Sequence, residues 1–404
     1  MPQPEAISPE LQYVLLLFAL FVVPRILQRY RLPSAVTSVA LGALAGLGFG
    51  LFEKDATIQI LSTLGIVSLF LFAGLEVDFR QLRRGTWVLI QHLVICVALL
   101  VAITLAVHAV LGLHLRLASL VALALVTPST GFILDSLASL GVTDSERYWI
   151  KSKAIATELV ALAVLFVTVQ STSALRFTVS ILVISAMIAL LPLAFRAFAE
   201  TVVPHAPKSE FAFLLMIALL CAFVTRKLGV YYLVGAFVVG LTAQRFRERL
   251  PAVASEQMLH AVEVFASFFV PFYFFNAGLH LRRDDFGIGA LALGVAFLVV
   301  VVPFRVALVA VHRRIGLGEP FRKGARIGAS ILPTLVFTLL IAEILRDRFG
   351  VSRSVFGGLT VYALVNTLIP GFALQVPLPA FEAPHAPQIA VREPSSNGPD
   401  QGEG

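Results

Sequence analysis

The stretch VTPSTGFILDSL, Val126 to Leu137, lies inside a run as apolar as a membrane helix, LASLVALALVTPSTGFIL. Pro128, three hydroxyl residues (Thr127, Ser129 and Thr130) and Gly131 stand together near its middle, and Asp135 follows. In hydrocarbon every backbone donor and acceptor needs a partner. A proline removes one donor and frees a carbonyl one turn earlier. Two readings are open. The stretch is a proline kink whose freed groups are met by its own hydroxyls, or it is a discontinuous helix whose unwound carbonyls make an ion site.

The remainder of the chain reads as lipid-soluble too. It has 404 residues, 58% hydrophobic and 14% charged, whereas a soluble domain carries about 25% charged residues. It cannot fold in water as one globule. A spanning helix needs roughly 20 apolar residues. About thirteen segments qualify, near 11–28, 33–51, 57–75, 87–112, 117–139, 150–170, 177–199, 209–226, 229–244, 259–281, 287–311, 325–345 and 354–376. Long continuous runs exclude a transmembrane barrel, whose strands alternate over about ten residues. The expected fold class is an all-α polytopic membrane protein. The opening MPQPEAISPE is acidic and lacks the basic region of a signal peptide, so the first segment is expected to stay. Residues 1–376 are expected to form the transmembrane domain. Residues 377–404, rich in Pro, Gly, Ser and acids, read as a disordered tail.

The net charge of +7 does not signal nucleic acid, because the basic residues are scattered through short loops with no aromatic-studded patch. It reads as topology. Lys and Arg divide roughly two to one between alternate loops, with Arg25, Arg80, Arg147, Lys151, Lys153 and Arg313 on the richer side. The positive-inside rule makes that side cytoplasmic, with the N-terminus outside and the C-terminus inside. Cys96 and Cys221 fall in apolar segments and read as packing residues. The histidines show no ligand spacing, and no nucleophile elbow, phosphate loop, metal cluster or cofactor motif is present. The chain is expected to be neither an enzyme nor a cofactor protein.

The second half repeats the opening signature. Segment twelve reads ARIGASILPTLVFTLLIAE, with Pro333 and Thr334 near its middle. Segments five and twelve are seven apart, an odd separation that gives opposite directions through the bilayer. Two interrupted helices in inverted halves point to a secondary transporter with a midplane site. Segments one to six and eight to thirteen would be the repeats, with segment seven as connector.

Two charges stand inside apolar segments. Glu158 in KSKAIATELVALAVLFVTV is about eight residues from the segment's cytoplasmic end, about 12 Å deep. Arg305 in VVVVPFRVALVAV is about six residues, or roughly 9 Å, from its own cytoplasmic end. An intramembrane carboxylate is a functional hypothesis by default, and Arg305 needs a counter-charge, for which Glu158 is the first choice. The alternatives are a snorkelling Arg305 and a static ion pair. Asp135 reads as a vestibule or interfacial residue, and Asn276 in FFVPFYFFNAGLHL as packing or a site ligand.

Four motifs in order carry a family resemblance. LGIVSLFLFAGLEVDFRQLRR, LVTPSTGFILDSLASLG, LGVYYLVGAFVVGL and FFVPFYFFNAGLHL resemble signatures of bacterial monovalent cation:proton antiporters, the Kef-like branch, over roughly residues 11–376. The resemblance implies an antiporter fold of the inner membrane, an elevator mechanism with a core and a dimerisation domain, a homodimer, and Na⁺ or K⁺ exchanged for H⁺. It implies an ion site at Thr157 and Glu158, where the family has an acidic, Asn-Asp or Gln-Asp pair, and a helix cation at Arg305. Thr127, Ser129 and Thr130 fall on its first unwound helix. The second unwound helix departs from the family, with Pro333-Thr334-Leu335-Val336 in place of a charged Pro-Arg-Gly-Glu. With one carboxylate at the site and an arginine that keeps its proton, the expected exchange is electroneutral. Two other readings share the fold: a carrier of another solute, and a non-transporting sensor or scaffold.

Overall fold

The computed structural model describes residues 8–52, 54–77, 85–137, 142–171, 173–206, 209–229, 232–246 and 256–374. The 377–404 tail and Arg80 lie outside these residues. The described chain is helical throughout. In chain order the helices are α1 (Pro9–Gln28), α2 (Ser34–Ala43, running on as a wider turn Leu44–Gly48), α3 (Ala56–Leu75), α4 (Thr86–Leu111), α5 (Leu115–Val126) and α6 (Thr130–Leu137). They continue with α7 (Asp144–Gln170), α8 (Ala174–Thr201), α9 (Glu210–Lys227), α10 (Tyr232–Phe246) and α11 (Glu256–Leu279), then α12 (Ile288–Leu317), α13 (Phe321–Ser330), α14 (Leu335–Phe349) and α15 (Arg353–Ala373). Each apolar segment of the sequence holds one helix or one broken pair. Among the described residues nine helices are long and apolar enough to cross a membrane, and the pair α13–α14, bent by 50°, makes a tenth.

The ends follow local chemistry. Ser8, Asp55 and Ser352 accept the N–H three residues on, and Thr143 and Glu146 close a reciprocal cap at the start of α7. Such caps satisfy donors that a helix leaves unpaired. Gly112, Gly318 and Gly350 end α4, α12 and α14 in the left-handed conformation, which costs a residue without Cβ little.

The helices pack as two bundles. In the first, the scaffold, α3 lies against α10 and α11, α2 against α11 and α1, and α9 against α10. In the second, the core, α4 lies against α5, α12 against α13 and α15, and α14 against α15 and α5, with α7 touching α4, α5 and α6. The connecting α8 touches α7, α9 and α10. Burial separates inner from outer helices. Only 11% of the apolar stretch of α4 and of α8 is covered by protein, against 78% across α5 and α6. The first two therefore turn their side chains to lipid and the broken helix sits at the centre.

Two glycine pairs set the scaffold's spacing. A Cβ on Gly240 would lie 2.3 Å from the Leu71 carbonyl oxygen and 3.0 Å from Gly74 Cα. One on Gly278 would lie 2.2 Å from the Val39 carbonyl oxygen and 3.0 Å from Gly42 Cα. Backbone meets backbone at both places, a close approach that small residues permit between membrane helices.

Two charged residues lie farther from their helix ends than the apolar runs suggested. α7 begins at Asp144, so Glu158 is fourteen residues in, about 21 Å, near the midpoint of the helix. α12 runs to Leu317, placing Arg305 twelve residues, about 18 Å, from that end. The apolar run underestimates each helix because capped, more polar turns extend it. Lys153, counted among loop residues, belongs to α7 and is fully buried.

Candidate functional site

The break between α5 and α6 spans Thr127 to Ser129, and that between α13 and α14 spans Ile331 to Thr334. The two breaks cross and supply each other's missing partners. Ser129 N–H donates to the Pro333 carbonyl at 2.8 Å, and the Ser129 hydroxyl accepts from Val336 N–H at 3.0 Å. Thr338 donates to the Ala124 carbonyl at 2.7 Å and lies 2.8 Å from the Thr334 hydroxyl. Thr127 donates back to Leu123 at 2.7 Å. Of the two readings of the opening stretch, the structure has the discontinuous helix.

A crossing of this kind gathers four helix ends. The N-terminal ends of α6 and α14 present unpaired N–H groups and a positive half-dipole, and the C-terminal ends of α5 and α13 present carbonyls and a negative one. Glu158 lies on the positive side. It is 3% exposed and shares a small cavity with Ser129, Thr130 and Gly131 of the first break, Val336 and Phe337 of α14, and Leu69, Phe70 and Ala73 of scaffold helix α3. The N–H and hydroxyl of Thr130 face its carboxyl, and that buried hydroxyl has no other partner.

Arg305 lies on the negative side. One terminal nitrogen donates to the carbonyls of Leu125 at 3.2 Å and Leu332 at 3.0 Å and to the Tyr362 hydroxyl at 3.3 Å; the other reaches the Ile331 carbonyl at 3.0 Å. The expected Glu158–Arg305 ion pair is absent among the described residues. The guanidinium is satisfied instead by carbonyls that the breaks release. Snorkelling is excluded as well, since Arg305 is 7% exposed.

Thr157 turns away from Glu158, since neighbours on a helix point about 100° apart. It lines a second cavity, inside the core, with His92, Cys96, Pro128, Arg305 and His312. Its hydroxyl donates to Lys153 O at 2.8 Å and lies 3.2 Å from His92 Nε2. Pro333 and Thr334 form the second break itself. Asn276 lies on α11, which packs on α2 and α3, and no described hydrogen bond ties it to the crossing. Asp135 lies on α6, and its side chain is outside the described residues.

Sequence reasoning missed several members. Tyr362 donates to the Leu125 carbonyl at 2.7 Å, and Asn366 Nδ2 to the Leu332 carbonyl at 2.7 Å. Both are fully buried on α15. Lys153 Nζ lies 3.4 Å from His312 Nδ1, and no described carboxylate is within ion-pair distance of it. Asn366 was findable, being a polar residue within an apolar segment, the same signal that marked Glu158.

The comparisons agree with this architecture. Residues 15–379 match the family described as sodium/hydrogen exchanger, transmembrane. The chain is 25% identical over 401 residues to the Na⁺/H⁺ antiporter NhaS5 of Synechocystis, covering 92% of this chain and 56% of that protein. It is 30% identical over 73 residues to the probable Na⁺/H⁺ antiporter 3 of Methanocaldococcus jannaschii, 18% of this chain and 19% of that one. It thus spans little more than half of the first relative and a fifth of the second. Among solved structures, the sodium proton antiporter MjNhaP1 of M. jannaschii superposes with a TM-score of 0.62 at 14% identity, covering 91% of this chain and 94% of that one. A second structure of the same antiporter gives 0.64 at 13% identity, covering 90% and 95%. These are antiporters by name, not enzymes. With most of its length matched, the chain belongs to the sodium/hydrogen exchanger family of membrane proteins.

Proposed function

We propose that the chain is a secondary antiporter of the cell membrane, exchanging Na⁺ or K⁺ for H⁺ at Glu158. The observation that carries this reading is the position of Glu158: buried at the midpoint of α7, facing the N-terminal ends of two broken helices, with the N–H and hydroxyl of Thr130 turned to its carboxyl. A carboxylate holds a proton or a cation but not both, and competition between them is exchange. The hydroxyl oxygens of Ser129 and Thr130 beside the carboxylate would supply part of the shell of a hard cation. Thr157 shapes the neighbouring cavity. Arg305 compensates charge by holding the carbonyl ends together, and Asp135 and Asn276 are accessory.

Thirteen spans in two inverted repeats fit the packing. The pairs α1–α2, α2–α11, α4–α5 and the α5–α6 break in the first half have counterparts α9–α10, α10–α3, α12–α13 and the α13–α14 break in the second. The glycine pairs Gly42–Gly278 and Gly74–Gly240 correspond in the same way. The cavity around Glu158 lies between core and scaffold, which suits an elevator in which the core moves and the scaffold, as the homodimer contact, stays. With the N-terminus outside and the 377–404 tail in the cytoplasm, the basic loops lie inside. One carboxylate trades one proton for one monovalent cation, so the cycle is electroneutral.

The test is proton flux in proteoliposomes with Na⁺, K⁺, Li⁺ or no added cation. Wild-type protein should show cation-dependent flux, and Glu158→Gln should abolish it while inserting normally. Exchange retained in that variant would remove Glu158 from the mechanism. Flux with none of the cations would point to another solute on the same fold.

A further inference from the structure

The last four carbonyls of a helix need partners from outside it. In the core, α7 finds them at home. Arg116 of α5 donates to the carbonyls of Thr168 at 2.7 Å and Val169 at 2.8 Å. The scaffold helices α9 and α11 close part of their own ends, with Gly229 N–H on Arg226 O at 2.8 Å and Leu281 N–H on Gly278 O at 3.1 Å. The carbonyls just past their last turns are taken by core side chains. Gln170 Nε2 donates to Leu228 O at 2.9 Å, Arg348 to Gly229 O at 2.9 Å, and Arg346 to His280 O at 3.2 Å. Two of the donors are packed in place, and Arg348 is exposed. Gln170 is 3% exposed, and the Arg346 guanidinium stacks over the Phe356 ring at 4.1 Å. Gly229 has φ +81°, and a Cβ there would come within 3.5 Å of both terminal nitrogens of Arg348.

All three contacts join the two bundles at one end of the molecule, where α7, α9, α11 and α14 terminate. At the other end the described bridge between bundles is the Lys151–Glu76 ion pair, whose side chains are 26% and 23% exposed. It is a single bridge, at an exposure like the 25% of Arg346. Guanidinium groups at helix C-termini also gain from the helix dipole. The bundles are thus fastened by three bonds at one end and by one described bridge at the other, with Glu158 between them.

We propose that Gln170, Arg346 and Arg348 are positioning residues that latch the core to the scaffold at this end and set which face of the membrane Glu158 opens to. The inference rests on the elevator reading given above. Each transport cycle must break the three bonds to open this face and remake them to close it. The population open at this face is then limited by the latch, and apparent affinity scales with the competent population.

The experiment measures apparent cation KM separately at each face, in right-side-out and inverted vesicles, for the wild type and Gln170→Leu/Arg348→Leu. Loosening two bonds should lower KM at the latched face by about fivefold or more. KM at the opposite face should hold or rise. Equal shifts at both faces, or none, would overturn the latch. A second measurement uses Gln170→Cys/Leu228→Cys in a chain whose Cys96 and Cys221 are replaced by alanine. Cross-linking the pair should stop exchange and reduction should restore it, whereas a cross-linked protein exchanging at the reduced rate would overturn the proposal. Absence of cation-coupled flux from the wild type would overturn the exchange reading and the latch with it, while exchange with symmetric KM changes would overturn the latch alone.

Discussion

Replacing Arg305 separates two accounts of the core. If Arg305 were the counter-charge of Glu158, removing either partner would strand a buried charge at about 3–5 kcal/mol, and removing both would recover most of it. The geometry gives a different sum. In Arg305→Met, the Leu125 carbonyl keeps the Tyr362 hydroxyl at 2.7 Å and the Leu332 carbonyl keeps Asn366 at 2.7 Å. The Ile331 carbonyl loses the donor it had at 3.0 Å. One orphaned buried carbonyl costs about 1–3 kcal/mol. Two helix C-termini lose a facing cation, each about 0.3–1 kcal/mol and up to ~2 where partly buried. Arg305→Met should therefore cost about 2–5 kcal/mol whether or not Glu158 is present. The assay is a double-mutant cycle with Glu158→Gln, read by thermal unfolding of purified protein in detergent. Non-contacting residues are additive within about 0.5 kcal/mol. A coupling of 2 kcal/mol or more would mean that the two charges do pair, and the separation of charges across the crossing would be refuted.

Other perturbations test other parts of the structure. Thr130→Val should raise the apparent KM for the cation more than it lowers expression; unchanged KM would take the hydroxyl out of the site. Gly240→Ala should destabilise by about 1–3 kcal/mol, because the added methyl meets backbone. Gly287→Ala, with nothing within 4 Å and φ −62°, should melt within about 0.5 kcal/mol of wild type, and the contrast is read by thermal unfolding. Burial pushes the Glu319 carboxyl up, but hydrogen bonds and charge from Lys323 and Arg313 outweigh it and hold it below the usual range. A depressed carboxylate stabilises above its unfolded pKa, about 4.3, and loses that contribution as pH falls through the folded value. The stability gap between wild type and Glu319→Gln should therefore be full at neutral pH and close in acid, as followed by unfolding against pH. The reversal point of Na⁺-driven proton flux should ignore an imposed membrane potential. One that moves would make Lys153 the leading second proton carrier.

The helices were legible because membrane spans announce themselves by composition, and every apolar segment holds one. The breaks were legible for a narrower reason. Pro24, Pro192, Pro271, Pro303 and Pro370 all lie inside helices that continue past them. Proline alone does not break a helix in this chain. Pro128 and Pro333 differ in adjoining hydroxyl residues and in having each other: the carbonyl at Pro333 meets the N–H at Ser129. That partnership joins residues 204 apart in the chain, and spacing cannot reveal it. For the same reason the acceptors of Arg305 were hidden. They are main-chain atoms, which every residue carries, so no residue type marks them. Charge pairing was the natural inference from two isolated charges, and it failed because a broken helix is itself a counter-charge. Lys153 was misplaced because a basic residue near an apolar boundary looks like a loop residue until the helix is seen to run past it.

The joint between the two broken helices is made largely of peptide atoms. Mutation edits side chains and leaves peptide groups in place. The centre of the molecule can therefore keep its geometry while most of its letters change, and its history should be sought in the spacing of its interruptions before the identity of its residues. The side chains that do take part, Ser129, Thr338, Asn366, Tyr362 and Arg305, bond mainly to main-chain atoms, which stay in place when a side chain is exchanged for another of matching reach. On the exchange reading proposed above, a lineage can thus change the residues at Glu158 and Thr130 without rebuilding the joint beside them.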